Sequence, residues 1–151
     1  MRTFGSVAEL AALQGQAIGH SDWVTITQEA VNLFADATGD HQWIHVDPEK
    51  AATGPFGTTI AHGYMTLSLL PQLMHTMYRV DGLKMAVNYG LNKVRFPSPV
   101  PVGAKVRAQG SVVNVDDLGD GSYQVTLSTT VEVEGATKPA CVAESVVRYM
   151  T

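Results

Sequence analysis

His62-Gly63-Tyr64-Met65-Thr66-Leu67-Ser68-Leu69-Leu70-Pro71-Gln72-Leu73-Met74-His75-Thr76-Met77-Tyr78 is a helix-length run without one charged side chain, and the charge-free stretch reaches back to Ala51. Its apolar residues, among them Met65, Leu67, Leu69, Leu70, Leu73, Met74 and Met77, leave almost no polar side on a 3.6-residue spiral. A helix that is apolar all round needs protein around it rather than water. The spacing predicts a buried helix over 62–78, kinked at Pro71, whose ring removes a backbone donor and clashes with the preceding turn. The methionines read as core filler.

The wrapping for such a helix lies downstream. Tyr123, Val125, Leu127, Thr129, Val131 and Val133 alternate with more polar residues, the pattern of a strand with one buried face. Between Lys84 and Phe96 the alternation Met85, Val87, Tyr89, Leu91 slips to Val94 and Phe96 after Gly90, which predicts a β-bulge. Pro97, Pro99 and Pro101 separate this run from a strand over 104–115. Turns at Gly119-Asp120-Gly121 and around Gly135 divide the rest. Short turns between successive strands imply antiparallel pairing. A sheet packed on the helix makes an α+β domain.

Upstream, Val7 to Leu13 reads as a short helix and Asp22 to Ile26 as a strand. Thr27 is placed to cap a helix reaching Thr38, with Ala30, Leu33, Phe34 and Ala37 as its apolar face. Gly39 can close that helix in a left-handed conformation. Asp47-Pro48 reads as the start of another short helix, and residues 53–59 as a loop.

With 151 residues, 45% apolar and 16% charged, the chain is expected to be a single domain over 1–151 with a sizeable core. No signal peptide or membrane span is read. The one cysteine, Cys141, excludes an intrachain disulfide and fits a reducing, cytoplasmic setting. A net charge of −4 disfavours general nucleic-acid binding. Six of the ten basic residues (Arg79, Lys84, Lys93, Arg95, Lys105 and Arg107) nevertheless fall in one interval opposed only by Asp81. They could meet a phosphate-bearing ligand, or serve as solvated charges guarding strand surfaces.

Chemistry concentrates in Gly39-Asp40-His41-Gln42-Trp43-Ile44-His45. A carboxylate and an imidazole aimed into one cleft from an irregular helix exit can hold a water and move its protons. Such a pair is also common in ordinary loops. His41 and His45 are four apart, with Asp40, Asp47 and His62 nearby in sequence. The loop context spoils helical i, i+4 geometry and HExxH is absent, so no metal site is expected.

Asp40-x-x-x-x-His45, Ala61-His62-Gly63 at the mouth of the uncharged helix, and Phe96-x-x-Pro99-Val100-x-x-Gly103 together resemble the MaoC-like (R)-specific enoyl-CoA hydratases, in their nodulation-protein-N-like branch. The likeness spans roughly residues 20–148 and implies a hot-dog fold, an antiparallel sheet wrapped around a central helix. It implies reversible hydration of trans-2-enoyl-CoA, no dissociable cofactor, and a homodimer with sites near the subunit interface. Asp40 and His45 would grip the water. Gly63 would polarise the thioester oxygen through a backbone N–H, since the first N–H groups of a helix are unpaired and partially positive. Gln42 could orient the water and Ser68 could sit near the thioester, although a helical serine equally well bonds its preceding turn. Lys93 and Arg95 could meet the CoA phosphates. His62 is read as a support for the loop. Gln42-Trp43 departs from the Asn-Pro common in the family and removes a conformational lock; Trp43 is read as core. A hot-dog acyl-CoA thioesterase and a noncatalytic acyl-binding module are the alternatives. Thioesterases of this fold commonly carry a carboxylate on or near the central helix, and residues 62–78 have none.

Overall fold

The computed structural model describes residues 1–151. Three long strands carry the architecture: β6 (Lys105–Asp117), β7 (Ser122–Val133) and β8 (Cys141–Met150), joined by the turns at Gly119–Gly121 and Gly135. β5 (Met85–Arg95) pairs with β8, and β2 (Ala17–His20) with β6, giving the order β2-β6-β7-β8-β5 with every pair antiparallel. β3 (Val24–Thr25) also pairs with β6. The alternation read in β7 is real: Val125, Leu127, Thr129, Val131 and Val133 are all buried. The register of β5 shifts between Asn88 and Gly90 and again between Leu91 and Lys93, so the slip in its pattern is a bulge.

The uncharged run forms two helices, α5 (Gly63–Ser68) and α6 (Leu70–Met77), broken at Leu69. Pro71 enters α6 in its first turn, where no backbone donor is needed. Met65, Leu70, Leu73 and Met77 point into a core shared with Val106, Val112, Val125 and Val131. Complete burial is not observed. Tyr64 is 72% exposed and Leu67, Leu69 and Met74 are only half-buried, because the sheet covers one side of the helix pair. The helical reading also ran one residue too far. Tyr78 opens a short strand, β4 (Tyr78–Val80), that pairs in parallel with β1 (Arg2–Phe4), neither of which the sequence suggested.

The N-terminal half positions the site. α1 (Val7–Ala11) packs against β6. The Thr27 hydroxyl accepts from the Ala30 N–H and starts α2 (Gln28–Thr38). Gly39 ends it at φ 80°, a left-handed conformation that a Cβ would oppose. The expected face of α2 holds in part: Ala30 and Phe34 pack half-buried against the core, but the fully buried residues are Val31 and Ala35, and Leu33 and Ala37 are exposed. Val31 joins the main core, so the buried stripe is turned by one position from the expected one. The next helix is α3 (Trp43–Val46), followed by α4 (Pro48–Ala52), whose first turn is capped by the Asp47 carboxylate. No helix is long and apolar enough to cross a membrane.

Candidate active site

Two segments meet at the site, and neither could hold its geometry alone. The backbone leaves α2 at Gly39, turns through Asp40 and re-enters helical structure at Trp43. Asp40 Oδ1 accepts from the Gln42 N–H at 3.3 Å, which tightens this turn. His45, 6% exposed, sits within α3. Its Nδ1 lies 2.7 Å from the Ile60 carbonyl. A carbonyl can only accept, so Nδ1 carries the proton and Nε2 presents a lone pair. The Ile60 N–H in turn donates to the Ile44 carbonyl. Gln28 completes the brace: its amide nitrogen donates to the His45 carbonyl at 2.7 Å and its amide oxygen accepts from the Thr59 hydroxyl at 2.6 Å.

The imidazole of His62 stacks on that of His45, with ring centroids 3.8 Å apart and planes at 24°. Nitrogen or oxygen atoms of Asp40, His45 and His62 all lie within 4.8 Å of one another. The Phe34 ring also packs on His62, with ring centroids 4.9 Å apart and planes at 54°. Gly63, the next residue, opens α5, and its N–H donates to no group in the protein. A Cβ at Gly63 would come within 3.2 Å of the Phe96 ring. His45 and Gly63 face one cleft of about 240 Å³, walled by Phe56, Phe96 and Pro99 and floored by Thr66.

The other candidates from the sequence lie elsewhere. Gln42 is exposed at the rim of the Asp40 turn, where its backbone rather than its side chain makes the contact with Asp40. Ser68 lies outside the cleft and donates its hydroxyl to the Tyr64 carbonyl at 2.7 Å. It borders a separate apolar groove of about 910 Å³ between the outer side of α5–α6 and strands β5 and β8. Lys93 and Arg95 are exposed on β5 and do not line the cleft. Trp43 is half-buried and lies outside the cleft lining; the Lys50 ammonium sits 4.7 Å from its ring centroid.

A cation is poorly served by these groups. Imidazole lone pairs lie in the ring plane, and two rings stacked 3.8 Å apart hold theirs in nearly parallel planes, while His45 Nδ1 and His62 Nε2 are already spent on backbone carbonyls. His41 turns away to an exposed contact with Asp36 at 2.9 Å, and that carboxylate raises its pKa above the usual imidazole range. Asp47 is engaged in capping α4.

The model of the MaoC-like domain matches residues 9–134. The chain belongs to the MaoC-like domain family. It is 75% identical to 3-hydroxyacyl-thioester dehydratase Z of Mycobacterium tuberculosis over 150 residues, 99% of each protein. Nodulation protein N of Rhizobium leguminosarum bv. viciae is 44% identical over 91% of this chain and 87% of its own. Among solved structures, the (R)-hydratase of A. caviae involved in PHA biosynthesis superposes with a TM-score of 0.69 and 27% identity, covering 85% of this chain and 93% of that one. As a MaoC-like protein the chain has the hot-dog fold, with the Asp40 turn and the mouth of α5 at one end of its helix pair.

Sequence reasoning missed Gln28, Thr59 and the carbonyl of Ile60. Gln28 and Thr59 are 31 residues apart and meet only because α2 packs across the segment leading into α5. No local pattern marks either one.

Proposed function

We propose that this chain is an (R)-specific enoyl-CoA hydratase, or 3-hydroxyacyl-CoA dehydratase in the reverse direction, with Asp40 and His45 as its water-handling pair. The observation that carries this reading is the Asp40 carboxylate within 4.8 Å of an imidazole whose tautomer is fixed by the Ile60 carbonyl, and that imidazole shares its cleft with Gly63, whose N–H is free. A water held between Asp40 and His45 Nε2 bonds through its oxygen to Cβ of the enoyl thioester. The alkene electron pair moves toward the thioester oxygen, where the Gly63 N–H stabilises the developing enolate. His45 takes one proton from the water, and Asp40, entering in its carboxylic acid form, delivers its proton to Cα; the proton on His45 then returns to the Asp40 carboxylate, so that both H and OH come from the water and the pair is restored. The chemistry is unchanged if the two exchange roles. No dissociable cofactor is needed, since coenzyme A arrives as part of the substrate.

Lys93 and Arg95, exposed on β5, are assigned to the CoA phosphates, and Gln42 and Ser68 to the edges of substrate binding. The molecule works as a single domain and as a homodimer, a reading supported by the open edge of β5, where Met85, Val87, Tyr89 and Leu91 are 40–63% exposed. The buried free thiol of Cys141 and the CoA substrate fit a cytoplasmic setting. The thioesterase alternative has no carboxylate on α5 or α6 to activate water at the carbonyl. Crotonyl-CoA decides between the readings. Loss of enoyl absorbance without free thiol supports hydration; thiol release supports a thioesterase; binding without turnover supports an acyl-binding module.

A further inference from the structure

We propose that His62 is a positioning residue for the hydration reaction, a role that rests on the hydratase reading above. It joins both members of the water-handling pair through one ring. Its Nε2 lies 2.9 Å from the carbonyl oxygen of Asp40, so Nε2 carries a proton and donates. That carbonyl receives no other hydrogen bond. Asp40 stands outside any helix or strand, and residues 39–46 contain no proline to stiffen the backbone. The bond from His62 is therefore the tertiary restraint on where the Asp40 backbone, and with it the carboxylate, can sit.

The same ring lies face to face with His45 at 3.8 Å. His45 is already held at Nδ1 by the Ile60 carbonyl, which leaves rotation of the ring about that contact as its freedom. Stacking on His62 removes it and aims Nε2. His62 itself cannot shift: it is 3% exposed, packed against Phe34, and followed directly by the first residue of α5. Its own backbone carbonyl accepts from the Met65 and Thr66 N–H groups, locking it to the helix that presents Gly63. His62 thus ties the carboxylate, the imidazole and the oxyanion donor to one rigid point. Displacements of about 1 Å in such a constellation cost on the order of 100-fold in rate.

A pair of amide substitutions separates positioning from simple space-filling. The His62→Gln amide nitrogen reaches the place of Nε2 and can donate to Asp40. The His62→Asn amide reaches only the place of Nδ1, which makes no hydrogen bond in the protein. Both lose the stack and a similar ring. With crotonyl-CoA, His62→Asn is expected to lower kcat about 100-fold with KM within about twofold, while His62→Gln recovers most of the loss, to within about tenfold of wild type. Equal kcat values for the two variants, whether high or low, would overturn the proposal. Should neither variant fold, ¹⁵N NMR of the wild-type protein still decides: His62 is expected as the Nε2–H tautomer, and the Nδ1–H tautomer rules the proposal out. Asp40→Asn is assayed alongside. If it keeps wild-type activity the hydratase reading itself fails, whereas an inactive Asp40→Asn with indistinguishable His62 variants sinks only the positioning role.

Discussion

Asp40 is exposed while His45 is buried, and this asymmetry matters for the chemistry assigned to them. The buried imidazole has its tautomer chosen by a backbone carbonyl, whereas Asp40 stays open to solvent. Each contribution can be removed with little change in volume. Asp40→Asn and His45→Gln are expected to lower crotonyl-CoA hydration at least about 1,000-fold, with circular dichroism and melting temperature close to wild type. Wild-type rates in both would refute the site assignment. Gly63 makes a different demand, because its missing side chain is what the Phe96 ring packs against. In Gly63→Ala the ring must yield by a few tenths of an ångström, at the place where a thioester would approach the N–H. A fall in kcat/KM of about tenfold is expected, partly restored when Phe96→Leu is added. Restoration tests whether the loss is steric; a double variant no better than Gly63→Ala would say that it is not.

At the scale of elements, β5 stands out. It lies at the edge of the sheet, and apart from the half-buried Val94 its residues are exposed, including four large apolar ones. The outer side of α5–α6 is likewise half uncovered, and the groove of about 910 Å³ runs between the two. An apolar edge strand left open invites pairing with another chain, and a second copy can supply the same strand about a twofold axis. For the proposed homodimer, Val87→Lys with Leu91→Lys is accordingly expected to shift the protein to monomer in sedimentation velocity, while Lys84→Ala is not. A dimer that survives both lysines would place the interface elsewhere. The helical run illustrates why local pattern and tertiary fact diverge here. Its uniform hydrophobicity was legible, but which side faces its own sheet was not. A helix covered by its own sheet on one side only can have the same sequence texture as one buried on all sides. The bulge in β5 was legible because a period-2 pattern records each slip directly. The face of α2 was legible only in part: Ala30 and Phe34 do pack on the core, but Val31 and Ala35 share the i, i+4 spacing of Leu33 and Ala37 and take the buried positions.

Across the whole molecule, burial raises the proton affinity of three groups that link separate parts of the core. Cys141, fully buried at the start of β8, has its thiol pushed up to about 11 from an ordinary value of 9.0. Tyr78 and Tyr149 meet through their hydroxyls, and burial is the main cause that raises both above the ordinary 10.0. In the unfolded chain these groups lose their protons at lower pH than in the native one. Below about pH 9 the two states hold the same protons, and above it the unfolded state holds fewer, so stability falls as pH rises. The urea midpoint is expected to be steady between pH 7 and 8.5 and to drop progressively from pH 9 to 11, less steeply in Cys141→Ala. A midpoint flat to pH 11 would mean that these groups are not held protonated by the fold.

Sequence alone determined what depends on neighbours along the chain. The Thr27 cap, the left-handed Gly39, the Asp47-Pro48 helix start and the alternation of β7 all follow from local geometry and short-range hydrogen bonding. The three motifs, in their order, were enough to identify the family. Only tertiary structure decided what the Asp40 turn is attached to. His62 and Ile60 lie 22 and 15 residues from the groups they hold, and Gln28 lies 17 residues from the His45 carbonyl. No periodicity encodes contacts of that span, since they arise when α2, α3 and the mouth of α5 are drawn together by burial of their apolar sides. Local chemistry named the candidate pair, and packing fixed its geometry.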